Sequence, residues 1–224
     1  MLSKNSLQFL DDLKANNNRD WFLDNKKRYE LFKKDYHQLV ADFLDAIKPL
    51  DSSLEMLEVK NCTFRINRDI RFSKDKSPYK DHIGVWLSSG AKGKNRSGYY
   101  IHIAKGASFI AGGLYCPEAE DLKKVRKEIS YFYEDLVAII SHKNFKKEFG
   151  DFDRDEKNVL KNPPRGYEKE HPAIAFLKLK SFETSQKFDM EEVTKKDFVA
   201  KMSQKLIVLK PLNDFINRAL TSEE

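Results

Sequence analysis

Leu7, Leu10 and Leu13 recur at every third position and Asn16-Asn17-Asn18 follows, so the chain opens on a short helix with a polar stop. Asn18 is placed to cap a second helix by accepting its orphan N–H groups. Trp21/Phe22, Tyr29, Phe32, Tyr36, Leu39/Val40, Phe43/Leu44 and Ile47 then form a long helical stripe. Pro49 ends it, because proline supplies no donor to the ladder. Helix is predicted over about 3–48.

The period then changes. Val59 to Ile66, His82 to Leu87, Gly98 to Ala104 and Ser108 to Tyr115 alternate or are β-rich, with glycine-containing connections, which predicts an antiparallel meander of four or more strands over about 59–115. Alternation puts Tyr99, Ile101 and Ile103 on one face and Tyr100 and His102 on the other; Lys105-Gly106 is the turn of a hairpin. Helix is predicted over about 117–149: Pro117 opens it, with Glu118, Glu120 and Asp121 in its dipole-favoured first turn and Leu122, Val125, Ile129, Phe132, Leu136 and Ile139 as its stripe, and Phe145 and Phe149 continue in a short helix that Gly150 terminates. Residues 172–220 read as mixed and helical: a short piece from Pro172 to Leu179, then Thr194 with Asp197 as a capping box for a stripe through Phe198, Met202, Leu206 and Leu209, interrupted at Pro211. The whole predicts one α+β domain over 1–224, a sheet packed against N-terminal, central and C-terminal helices.

Composition narrows the setting. With 34% charged and 40% hydrophobic residues, no membrane-length apolar run and no signal-peptide pattern, the expectation is a soluble cytoplasmic protein without a membrane partner. Two cysteines, Cys62 and Cys116, exclude a disulfide framework. Charge is more informative in its placement than in its total. Between Arg65 and Lys80 six cations face two anions, a local +4 out of +6 for the chain; Lys92, Lys94 and Arg96 add +3, so the remainder sums to −1.

That basic stretch, with Phe64, Phe72 and Tyr79 interleaved, is the candidate site. On a continuing strand Arg65, Asn67, Asp69 and Arg71 would share one face, and Ile66, Arg68, Ile70 and Phe72 the other. Guanidinium forks match phosphate or carboxylate bidentately, so Arg65, Arg68 and Arg71 suit an anion, with Lys76 and Lys80 adding point charges. Asp69, Tyr79 and His102 are the acid–base candidates, and Tyr100 can line the same cleft. Arg19 and Trp21 can bind phosphate and stack on a ring, or can simply cap and pack a helix.

Arg65-x-x-Arg68-Asp69-x-Arg71-Phe72, followed by Asp75-Lys76-x-x-Tyr79, resembles the signature of an uncharacterised bacterial family catalogued as domain of unknown function 2461. Asn17-Asn18-Arg19-Asp20-Trp21-Phe22, Gly98-Tyr99-Tyr100-Ile101-His102-Ile103, Gly112-Gly113-Leu114-Tyr115 and Pro164-Arg165-Gly166-Tyr167 are similar to its other recurring stretches. The resemblance covers nearly the whole chain and implies no activity, though it does imply that these polar stretches recur together.

Other constellations fall away. Ser73-x-x-Lys76 and Ser77-x-x-Lys80 lack the Ser-Asp-Asn and Lys-Thr-Gly partners of serine acyltransferases. Asp151-x-Asp153-x-Asp155 begins like a calcium loop, but Glu156 replaces the turn glycine and Asn162 the bidentate glutamate. His82, His102 and His171 are scattered, Gly90 to Lys94 is not a phosphate loop, and neither a metal nor a cofactor is expected. Three readings remain: a small anionic ligand bound at residues 65–80; a single-stranded nucleic acid stacked on Phe64, Phe72, Trp86, Tyr99 and Tyr100; or an interaction protein whose basic segment is an internal salt-bridge network.

Overall fold

The structure is a computed structural model that describes residues 1–90 and 96–222. Lys92 and Lys94, two members of the second basic run, lie outside the described residues. The elements are α1 (Lys4–Ala15), α2 (Arg19–Asp24), α3 (Lys26–Ile47), α4 (Val59–Cys62), β1 (Ile83–Leu87), β2 (Gly98–Ile103), β3 (Phe109–Leu114), α5 (Ala119–Tyr131), α6 (Tyr133–Ser141), α7 (Lys143–Glu148), α8 (Ile174–Leu177), β4 (Phe182–Lys187), α9 (Phe198–Leu206) and α10 (Lys210–Thr221). The strands form one antiparallel sheet in the order β1-β2-β3-β4, giving the α+β class that the patterning predicts.

The chain gathers into two compact units, Met1–Leu87 with Tyr100–Ile110 and Lys187–Gln204, and Ser88–Tyr99 with Ala111–Gln186 and Lys205–Glu224. In the first, Phe9, Leu10 and Leu13 of α1 and Phe32, Tyr36, Leu39, Val40, Phe43, Leu44 and Ile47 of α3 are buried, as are Ile83, Val85, Ile101 and Ile103. Phe198 of α9 meets Phe43 edge-on, ring centroids 5.9 Å apart. The three asparagines between α1 and α2 divide the work. The Asn16 backbone N–H closes α1 on Asp12, and Asn18 Oδ1 caps α2 at the Trp21 N–H. Asn17 makes both backbone bonds of an absent strand neighbour, donating to the Tyr79 carbonyl and accepting from its N–H at 2.9 and 3.0 Å.

In the second unit Val125, Ile129, Leu136, Ile140 and Phe145 of α5 to α7 are buried, together with Leu212, Phe215 and Ile216 of α10. Asn213 of α10 accepts from the Ser97 hydroxyl at 2.6 Å, and Arg126 donates to the Leu177 and Leu179 carbonyls.

Four expectations need correction. Residues 59–62 are a helical turn, α4, because the Asn61 side chain accepts from the Glu58 N–H and closes the turn; only Thr63 then reaches β1, bridging Val85. The fourth strand is β4, where Phe182 and Thr184 point inward and the Thr184 hydroxyl donates to the Asp151 carbonyl at 2.7 Å. The helix over 117–149 is three helices. It breaks at Phe132, whose ring leaves the stripe to lie under the Arg218 guanidinium, and at His142, whose ring nitrogen accepts the Asn144 N–H. The Thr194 hydroxyl donates back to the Glu191 carbonyl, and α9 begins only at Phe198, so Thr194 is not at its N-cap position.

Candidate functional site

The basic segment leaves the edge of β1 through a wedge. Beyond the Thr63–Val85 bridge the two backbones separate, and the Tyr36 hydroxyl stands between them, accepting from the Phe64 N–H at 3.0 Å and donating to the Gly84 carbonyl at 2.5 Å. Burial holds this phenol well above its ordinary pKa, so it stays a donor. Past the wedge the chain becomes an irregular hairpin: Asn67 bridges Tyr79, Arg68 N–H donates to Pro78 and Lys80 N–H to Ile66. The expected strand alternation through Arg71 therefore stops at Asn67.

The hairpin is braced by its own charges. Arg68 binds Asp75 and the Ser77 carbonyl, while Asp75 also accepts from the Ser77 N–H and hydroxyl. These bonds, the Ser77 ones foremost, hold the Asp75 carboxyl down to about 2. Arg71 closes bidentately on Asp69 at 3.0 and 2.7 Å, lowering the Asp69 pKa. Lys76 donates to the Ile70 carbonyl and Lys80 to the Arg65 carbonyl. Two guanidinium forks are thus spent on carboxylates, yet six cations against two anions leave the segment at +4.

The other sequence candidates are placed as follows. Tyr79 is buried with its ring stacked on Phe22 at 4.0 Å. Trp21 stacks on Phe9, with Arg28 over both rings; Arg19 is exposed at the start of α2. Tyr99 is buried, which removes it from the aromatic platform.

Tyr100 and His102, on the opposite face of β2, meet Phe64 and Trp86, which the sequence grouped with Tyr100, and His82 and Phe109, which it did not. The Tyr100 hydroxyl lies 3.1 Å from His102 Nδ1. The His102 ring is 4.7 Å from His82 and stacks on Phe109 at 4.9 Å; Tyr100 touches Phe109, Trp86 and Phe64 at centroid distances of 5.9, 6.5 and 6.4 Å. Gly84 makes room: a Cβ there would stand 2.6 Å from the Tyr100 hydroxyl. The result is one continuous, partly exposed face of rings across β1, β2 and the start of β3, with Lys80 Nζ at 5.4 Å from the Phe64 ring. Knowing that residues 86, 102 and 109 lie on adjacent strands, with residue 82 just ahead of β1, is what would have found it.

Burial first, then the neighbouring His82 charge, depresses His102 to about 4, so its imidazole is neutral at physiological pH. Burial likewise raises the Tyr100 phenol. The pair is a hydrogen-bonding unit there, with the imidazole tautomer setting which partner donates. An unfolded chain protonates His102 near 6.5 and the folded one only near 4, so stability is expected to fall as pH drops across that window. His102→Asn should flatten this stretch of a denaturation-midpoint-against-pH curve; an unchanged curve would refute the assignment.

In the second unit, burial and then Asp153 and Asp155 push Glu183 up to about 7. Among the described residues no group of three or more His, Cys, Asp or Glu side chains is arranged to hold a metal, and no helix is long and apolar enough to cross a membrane. Neither Cys62 nor Cys116 is in a disulfide.

The fold and face define an α+β protein whose polar and aromatic groups converge on one sheet face. The chain belongs to the family described as conserved hypothetical protein DUF2461, matched over residues 5–215. No curated protein and no solved structure matches it.

Proposed function

We propose that the protein binds a ligand that carries both a planar ring and a phosphate, of the nucleotide class, on the face formed by β1, β2 and the start of β3. The observation that carries this reading is the unbroken set of partly exposed rings, Phe64, Trp86, Tyr100, His102 and Phe109, bordered by Lys80. Aromatic faces stack on any base, and the neutral His102–Tyr100 pair offers hydrogen bonds to a base edge. The anion belongs to the cations at the hairpin base; Arg68 and Arg71 act as braces, since their forks already hold carboxylates. This moves the expected anion site inward from the arginine row.

Thermal unfolding against nucleoside phosphates, free nucleosides and inorganic phosphate tests the reading. A nucleotide at a hundred times its dissociation constant adds about 2.7 kcal/mol, an upward shift of about 5–10 °C. Trp86→Ala is expected to abolish the shift, whereas a flat panel contradicts the proposal.

A further inference from the structure

Phe72 is 95% exposed, the most exposed large apolar side chain on the basic hairpin. An aromatic ring in water is ordinarily a mobile one, but this loop is held. The Arg71–Asp69 and Arg68–Asp75 pairs, the Asp75–Ser77 bonds, the Lys76 bond to the Ile70 carbonyl and the Ser73 N–H on that same carbonyl fix the backbone on both sides of Phe72. The Arg71 guanidinium carbon sits 5.7 Å from the ring centroid. Lys74 and Lys76 are exposed on the same loop.

We propose that the ligand of the sheet face is a single-stranded nucleic acid, and that Phe72 is a second, separate stacking platform for one of its bases. This rests on the sheet-face reading and extends it. An exposed ring on a hydrogen-bonded loop, with Arg71 against it and Lys74 and Lys76 on the same loop, gives a base a surface to stack on and cations for its phosphates, and the bonded loop backbone lowers the ordering cost. The reach is compatible: Phe64 and Phe72 are eight positions apart, at most about 27 Å of extended chain, which a strand rising about 3.4 Å per nucleotide covers in about eight nucleotides. A lipid surface fits less well. Asp69 and Asp75 flank the ring with half-exposed carboxylates that insertion would carry toward the bilayer.

The test is fluorescence polarisation of the full chain with a labelled thymidine 12-mer, with competition by thymidine monophosphate. The 12-mer is expected to bind more tightly than the monophosphate and to weaken steeply with salt. Phe72→Ala should weaken the 12-mer on the order of 10–100-fold while leaving the monophosphate unchanged. Because the side chain is in solvent, circular dichroism should show an intact fold. Equal affinity for both probes, or a silent Phe72→Ala, overturns this inference and leaves the sheet-face reading standing. Absence of binding by either probe overturns both. Phe72-dependent binding to phosphatidylserine vesicles without binding of the 12-mer overturns it in favour of a membrane partner.

Discussion

Tyr36→Phe is expected to destabilise the protein by about 2–3 kcal/mol, lowering the unfolding temperature by about 5–10 °C. Only one oxygen is removed, and the ring still fills its place among Phe32 and the core of α3. That oxygen, however, serves two backbone groups where the ladder between residues 63–64 and β1 comes apart. Tyr36 is only 6% exposed, so the Phe64 N–H and Gly84 carbonyl lose their partner in a place with little access to water. Amide hydrogen exchange at Phe64 should quicken more than at Val40 in the middle of α3. A change below about 0.5 kcal/mol would mean that the two backbones close directly on each other and that the wedge is dispensable.

Gly113→Ala is expected to be more severe, on the order of 4 kcal/mol or more, with little folded protein recovered. Gly113 has a φ of +116°, outside the conformations that residues with a side chain adopt readily, and its Cβ would stand 2.0 Å from the Phe182 carbonyl oxygen. Both obstacles are backbone, so no rotamer change relieves them. The pairing of β3 with β4 would have to open. Gly106→Ala is the control: its φ is +72° but nothing lies within 4 Å of the added carbon, so only about 1 kcal/mol is expected. Urea denaturation of the two variants separates the effects; similar losses would show that φ alone, and not the strand contact, governs Gly113.

Periodicity made the amphipathic helices and the hairpin of β2 and β3 legible, because Leu10, Leu13, Phe43, Ile101 and Ile103 occupy the positions that a buried face demands. It failed where a local polar bond outweighs the pattern. Val59 and Cys62 look like strand residues, but Asn61 closes a helical turn around them. β4 carries two inward residues before Ser185, Gln186 and Lys187, too short an alternation to stand out. Phe132 fits the helical stripe and lies outside it, drawn to Arg218.

The candidate site divided in the same way. The basic segment and the outward face of Tyr100 and His102 could be read from charge and alternation. That Arg68 and Arg71 would close on Asp75 and Asp69 was one of two open outcomes, since the same residue types serve a ligand or a brace. Phe64, Trp86 and Tyr100 were grouped from the sequence, but the partnership of His82, His102 and Phe109 with them was invisible, because it depends on which strands lie side by side. Of the aromatics grouped by sequence, Tyr99 belongs to the core and Phe72 to the solvent.

The most direct test of the ring face uses its own chromophore. The chain has two tryptophans, and Trp21→Phe leaves Trp86, in contact with Tyr100, as the sole indole. Titration of this variant with a nucleoside monophosphate should quench Trp86 emission saturably, with the parent nucleoside weaker and inorganic phosphate silent. Trp86 emission that stays unchanged, while the folded protein is shown intact by circular dichroism, would contradict a nucleotide-class ligand on this face.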